Sequence, residues 1–214
     1  PALVIFVVVI GGIYAGVFTP TEAAAFGVVG TGIIAVAHGM RVKGFVDSMA
    51  GTAVSSGMIF MILIGADMFN AFLAASQVPQ SLAAYMGGLD LSPMLILVCI
   101  LLMYLVLGCL MDSLSMILLT IPIFFPIIMT LDFGLSPEDT AIWFGINTLI
   151  VVEVGLITPP IGMNVFVINK LARGVPMSDT FHGVVPFLVS DFLRVAILIA
   201  FPALTLGLMR IVWQ

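Results

Sequence analysis

Residues 94–129 read MLILVCILLMYLVLGCLMDSLSMILLTIPIFFPIIM, two apolar arms joined by Gly108-Cys109-Leu110-Met111-Asp112-Ser113. Asp112 is the only charged side chain in the stretch. A water-soluble domain cannot hide arms of this kind. Each arm reads as a helix, and the pair returns the chain to the face from which it came. A re-entrant hairpin does this, and so do two full crossings.

The same pattern extends outward. Uncharged runs cover 1–21, 23–40, 48–66, 68–89, 91–111, 113–131, 154–169 and 195–209. Several reach the ~18–20 residues that span a bilayer core as helix. Charged residues make up 8% of the 214, against roughly 25% in soluble domains. The composition is that of an all-α polytopic membrane protein. A net charge of −5 with only 6 Lys and Arg excludes a nucleic-acid footprint. Cys99 and Cys109 both lie in apolar runs, against a disulfide framework or a Cys-based metal site. There is no Walker A sequence, no HExxH and no credible Ser/His/Asp set, so an enzyme or an ATP-driven machine is not indicated. The chain opens at Pro1 inside an apolar run, which reads as the C-terminal part of something longer.

Punctuation residues divide the chain. Thr19-Pro20 separates a first helix, to about Val17, from a second over Ala23–Ala37; Thr19 or Thr21 can cap the second. Val42, Phe45, Val46 and Met49 form an amphipathic stripe over 41–49 suited to the membrane interface. A long helix is expected from about Ala50 to Ser76, with Pro79, Gly87-Gly88 and Ser92-Pro93 marking a connection to 93. The hairpin occupies 94–130. Asp132, Glu138 and Asp139 place 131–140 outside the membrane, and the segment to 174 is interrupted at Gly155–Gly162. A second interfacial stripe (Met177, Phe181, Val184, Val185) falls in 175–185, and a last membrane helix in 186–214. Arg41, Lys43, Lys170 and Arg173 mark the cytoplasmic loops, whereas 77–93 and 131–139 lack Lys and Arg and face the other side.

Two places offer chemistry. At the hairpin tip, Gly108 frees backbone carbonyls, Asp112 is anionic, and Ser113 and Ser115 supply hydroxyls at a helix start; together they suit a hard monovalent cation. A solvated turn is the plain alternative. At the second place, Gly155-Leu156-Ile157-Thr158-Pro159-Pro160-Ile161-Gly162 cannot continue as helix, because two successive residues lack N–H groups. Such breaks present carbonyls to cations and half-helix N-termini to anions. Asn147 and Asn164 flank the break as hydrogen-bonding side chains for a ligand or as staples between half-helices. Glu153 reads as a coupling group or as a polar residue facing a crevice, and Asp191 with Arg194 reads as a local ion pair.

These segments resemble a known family. Gly11-Gly12-Ile13-Tyr14-Ala15-Gly16-Val17-Phe18-Thr19-Pro20-Thr21-Glu22-Ala23-Ala24-Ala25 is similar to the signature of the large membrane (M) subunit of tripartite ATP-independent periplasmic (TRAP) transporters, DctM type. Gly108–Asp112 resembles that family's second hairpin tip, although Ser113 stands where members often have Pro. Gly155–Asn164 resembles its last broken helix, and Phe201-Pro202-Ala203-Leu204 also fits.

The resemblance implies the C-terminal half of an M subunit: the second inverted repeat of an elevator-type transporter. Residues 1–40 would be scaffold helices, 41–49 and 175–185 interfacial arm helices, 94–130 a re-entrant hairpin, and 131–174 the broken transport helix. It implies sodium bound by Gly108, Asp112, Ser113, Gly155 and Thr158, and substrate bound by Ser115, Thr158, Pro159 and Asn164. The implied activity is sodium-driven uptake of an organic acid, such as a C4-dicarboxylate or sialic acid, across the bacterial inner membrane. The implied partners are a periplasmic substrate-binding protein, a small Q membrane subunit and the N-terminal half of the M subunit. Two other readings fit the residues: an ion-coupled carboxylate transporter without a binding protein, and a structural membrane subunit.

Overall fold

The computed structural model describes residues 2–88, 91–159, 161–171 and 174–212. Pro1, Pro160 and Arg173 lie outside these residues. The described residues form helices α1 (Ala2–Tyr14), α2 (Pro20–Ala37), α3 (Val42–Ser76), α4 (Val78–Gly87), α5 (Pro93–Gly108), α6 (Ser113–Met129), α7 (Pro137–Ile157), α8 (Met163–Leu171), α9 (Met177–Ala200) and α10 (Pro202–Val212), with no strand among them. Of these, α2, α3, α7 and α9 are long and apolar enough to cross a membrane.

Local chemistry sets the helix starts. Thr19 caps α2: its hydroxyl accepts from the Glu22 N–H at 3.3 Å, and the Glu22 carboxylate accepts from the Thr19 N–H at 2.8 Å. This reciprocal box satisfies two donors that the first turn would leave open. Ser92 and Ser136 cap α5 and α7 in the simpler way, accepting from Leu95 N and Asp139 N. Pro20, Pro93 and Pro137 then sit at the first helical position, where a missing N–H costs nothing.

Three boundaries differ from the sequence expectation. First, α3 runs unbroken through residue 49 as a helix of 35 residues. Its glycines weaken it but remove no hydrogen bond, and Ser48 and Thr52 fold their hydroxyls back onto Gly44 and Ser48 carbonyls. Second, the connection 77–93 contains α4. Pro79 lies in its first turn and so starts a helix; the chain turns beforehand at Gln77, whose φ is +54°. Third, the expected separation at 185/186 is absent, because α9 carries Pro186 inside it. The break comes instead at Phe201 (φ −126°, ψ 76°), since a residue before proline is pushed out of the helical region.

The chain forms two compact units, residues 1–60 and 61–214. In the first, α1 packs on α2 through Val9 against Gly27 and Ile5 against Gly30. In the second, α7 is the hub on which α5, α6, α9 and α10 pack. Ile96, Leu97, Tyr104, Met116, Ile128, Trp143, Phe144 and Val152 are buried at its centre. Trp143 Nε1 donates to the Leu198 carbonyl at 2.9 Å, so the end of α9 lies beside the start of α7. At that same end Arg210 of α10 pairs with Asp139 of α7 at 2.8 Å.

Candidate functional site

Gly108 closes α5, Gly155 lies in the last turn of α7, and the two helices meet there backbone to backbone. A Cβ on Gly108 would stand 3.0 Å from both the Gly155 Cα and the Val152 carbonyl oxygen. The packing therefore joins the two segments that the sequence marks separately. The next residue carries the contact onward: Cys109 Sγ lies 3.3 Å from the Leu105 carbonyl and 4.0 Å from that of Pro159.

This meeting has an electrostatic consequence. Both α5 and α7 end here, and a helix C-terminus carries roughly −0.5 of an elementary charge. The Leu105, Val106 and Leu107 carbonyls already accept from the N–H groups of Cys109, Leu110 and Met111, and those of Val154 and Gly155 from Thr158. This leaves Val106, Val154 and Gly155 each a second carbonyl lone pair for a ligand. Two negative ends side by side favour a cation. New helices follow shortly after each, α6 from Ser113 and α8 from Met163, and their positive N-terminal ends favour an anion.

The break is held by short-range bonds. Thr158 is extended (φ −83°, ψ 134°), its N–H donates to the Gly155 carbonyl at 3.0 Å, and its hydroxyl donates to the Val154 carbonyl at 2.6 Å. With that proton committed, the Thr158 side chain can offer a ligand only an oxygen lone pair. Gly162 restarts the chain at φ +57°, and its carbonyl accepts from Val165 N and Phe166 N in the first turn of α8.

At the tip, Asp112 is exposed and caps α6. Its Oδ1 accepts from the Ser115 N–H at 2.9 Å, and its Oδ2 accepts from the Ser115 hydroxyl. Ser115, expected at the substrate, thus directs both its donors to Asp112. Ser113 is half-buried. Gly108 and Gly155 come together with Pro159 close by, whereas Asn164 is exposed and has no side-chain hydrogen bond among the described residues. No hydrogen bond among the described residues links Asp112 to Thr158.

Two polar residues, Tyr104 and Thr120, gain a role only in three dimensions. Tyr104 of α5 and Thr120 of α6 meet with their oxygens 2.8 Å apart, stapling the two arms. Thr120 gives its one proton to the Met116 carbonyl at 2.6 Å, so the phenol is the donor between them. Asn147 is fully buried, with Nδ2 on the Trp143 carbonyl at 2.8 Å. Its Oδ1 and the neighbouring Thr148 Oγ1 have no partner among the described residues. A hydroxyl inside an apolar run was the available signal for Tyr104 and Thr120; Asn147, marked in the sequence for a ligand or a staple between half-helices, bonds among the described residues only to its own helix α7. Asp191 and Arg194 form the expected ion pair at 2.9 Å.

The chain matches the family model described as "Tripartite ATP-independent periplasmic transporter, DctM component" over residues 1–204. It is 36% identical over 208 residues to the C4-dicarboxylate TRAP transporter large permease protein DctM of Pseudomonas aeruginosa, covering 96% of this chain and 47% of that protein. It is 32% identical over 205 residues to the sialic acid TRAP transporter large permease protein SiaM of Vibrio cholerae, covering 94% of this chain and 46% of that protein. The ectoine TRAP transporter large permease protein TeaC of Halomonas elongata is 29% identical over 204 residues, covering 94% and 46% respectively. The chain spans about half the length of the curated relatives it matches.

Proposed function

Because this chain belongs to the DctM family of TRAP transporter large permeases, a family of multi-pass membrane transport proteins and not of enzymes, we propose that it forms half of a sodium-driven permease for an organic acid. In this reading a periplasmic binding protein delivers the substrate, a small membrane subunit braces the permease in the bacterial inner membrane, and the substrate moves by an elevator displacement. The observation that carries the reading is the convergence of Gly108 and Gly155. It supports a cation beside the ends of α5 and α7, and a carboxylate at the N-termini of α6 and α8. Gly108, Gly155 and Thr158 would contribute backbone or hydroxyl oxygens to sodium; Asp112 would fix the tip beside them.

Helix length supports a re-entrant hairpin. The 16 residues of α5 and 17 of α6 give rods of about 24–26 Å, short of a ~30 Å hydrocarbon core. Two helices of that length, joined by a tip that packs on the break in α7, fit a turn inside the membrane better than two crossings.

The test is uptake by the complete permease in proteoliposomes, with purified binding protein and labelled C4-dicarboxylate or sialic acid. The expected result is uptake that needs both an inward sodium gradient and the binding protein, with potassium unable to replace sodium. Uptake unaffected by the sodium gradient would overturn the coupling. Uptake without a binding protein would favour the simpler carboxylate transporter.

A further inference from the structure

Helix α7 buries most of its circumference, yet one face stays open. Gly145, Leu149 and Glu153, spaced i, i+4, i+8, are all exposed, flanked by the half-buried Ile142, Ile146 and Ile150. A Cβ added at Gly145 would meet nothing within 4 Å. Glu153 points away from the hairpin: it is two residues from Gly155, which at 100° per residue places it on the opposite side of the helix. It has no hydrogen bond or ion pair among the described residues.

Its position makes this exposure significant. Glu153 lies inside α7, a helix long and apolar enough to cross a membrane. An ionised carboxylate on the hydrocarbon-facing side of such a helix is costly and in membrane proteins is normally paired. No Lys, Arg or His occurs between Lys43 and Lys170, and Arg194 of α9, the helix packed on α7, is paired with Asp191 instead. The rest of the face is apolar, with a glycine that lets another helix approach closely.

We infer that the Gly145–Leu149–Glu153 face of α7 docks a transmembrane helix bearing a lysine or arginine, whose charge pairs with Glu153. The apolar side chains supply the packing, Gly145 the closeness, and Glu153 the register. The inference concerns a face of α7 turned away from the proposed sodium site, and stands whether or not that site binds sodium.

The test uses the complete permease in its membrane. In a background lacking Cys99 and Cys109, Glu153→Cys is expected to resist a membrane-impermeant thiol reagent, with and without sodium, while Glu138→Cys labels readily. Glu153→Gln and Glu153→Leu are both expected to lower the unfolding temperature of the assembled permease. Glu153→Lys is expected to lose assembly, and replacement of one Lys or Arg by Glu on another membrane helix to restore it. Labelling of Glu153→Cys as fast as Glu138→Cys would overturn the inference, because the face would then line water. A Glu153→Leu permease as stable as the parent would also overturn it, because the face would then meet lipid. If Glu153→Lys fails outright, the neutral Cys and Leu variants still decide.

Discussion

Gly155 approaches Gly108 so closely that a methyl group built on it would lie 2.8 Å from the Gly108 Cα and 2.9 Å from the Leu105 carbonyl oxygen. Both obstacles are backbone, so no side chain can swing aside. Gly155→Ala must push the hairpin from the break, and overpacking of this kind costs about 1–3 kcal/mol. The expected outcome is a lower unfolding temperature together with lost uptake. Gly207→Ala, where nothing stands within 4 Å, should behave as the parent. A stable, active Gly155→Ala permease would contradict this backbone-to-backbone packing.

The Tyr104–Thr120 staple makes a separate prediction about the hairpin. Tyr104 is fully buried and its phenol donates to Thr120. Thr120→Val leaves that donor without an acceptor, a loss of about 1–3 kcal/mol for a buried polar group. Adding Tyr104→Phe removes the orphaned group and should recover much of the loss. Thermal unfolding of the two single variants and the double variant checks this, with the double variant expected to exceed Thr120→Val.

What the sequence disclosed followed the range of the physics involved. The cap at Thr19 and the break at Gly155–Gly162 act within a few residues, so the sequence shows them locally, as it also could have shown the Ser136 cap. Proline was less transparent because its meaning depends on position. Pro79 and Pro202 each start a helix, and Pro186 is carried inside one. Sequence reading therefore missed α4 and α10 and moved the final boundary. The meeting of Gly108 with Gly155 and the pairing of Arg210 with Asp139, 71 residues apart, belong to tertiary packing, which periodicity does not encode. Asp112 was noticed for its charge, whereas its capping of α6 was the nearer and unremarked signal in Asp-Ser-Leu-Ser.

That capping separates two roles of Asp112. Asparagine is also a good N-cap, so Asp112→Asn should leave abundance and the unfolding temperature nearly unchanged. Alanine cannot accept from the Ser115 N–H, and Asp112→Ala should cost about 1 kcal/mol of stability. If the negative charge also assists sodium, Asp112→Asn will weaken the sodium dependence of uptake while the protein remains abundant. Sodium activation measured beside membrane abundance distinguishes the roles. Unchanged activation in the Asn variant would leave Asp112 a cap alone.

The break itself gives the last prediction. Thr158 leaves the helical region, and two prolines follow it in sequence before Gly162 restarts the chain at φ +57°. Replacing Pro159 and Pro160 by Ala restores two backbone donors and permits a continuous helix from α7 into α8. Continuity would pair the carbonyls at the end of α7 and bury the N-terminal N–H groups of α8 in the same ladder. The partial charges that the proposed site uses would then no longer face a ligand. The expected outcome is normal membrane abundance with uptake lost, and with no stabilisation by sodium in thermal unfolding. A break made only for packing predicts parallel losses of abundance and uptake instead. Normal, sodium-dependent transport by the double-Ala permease would remove this segment from the site, because a continuous helix has no free ends to offer either ion.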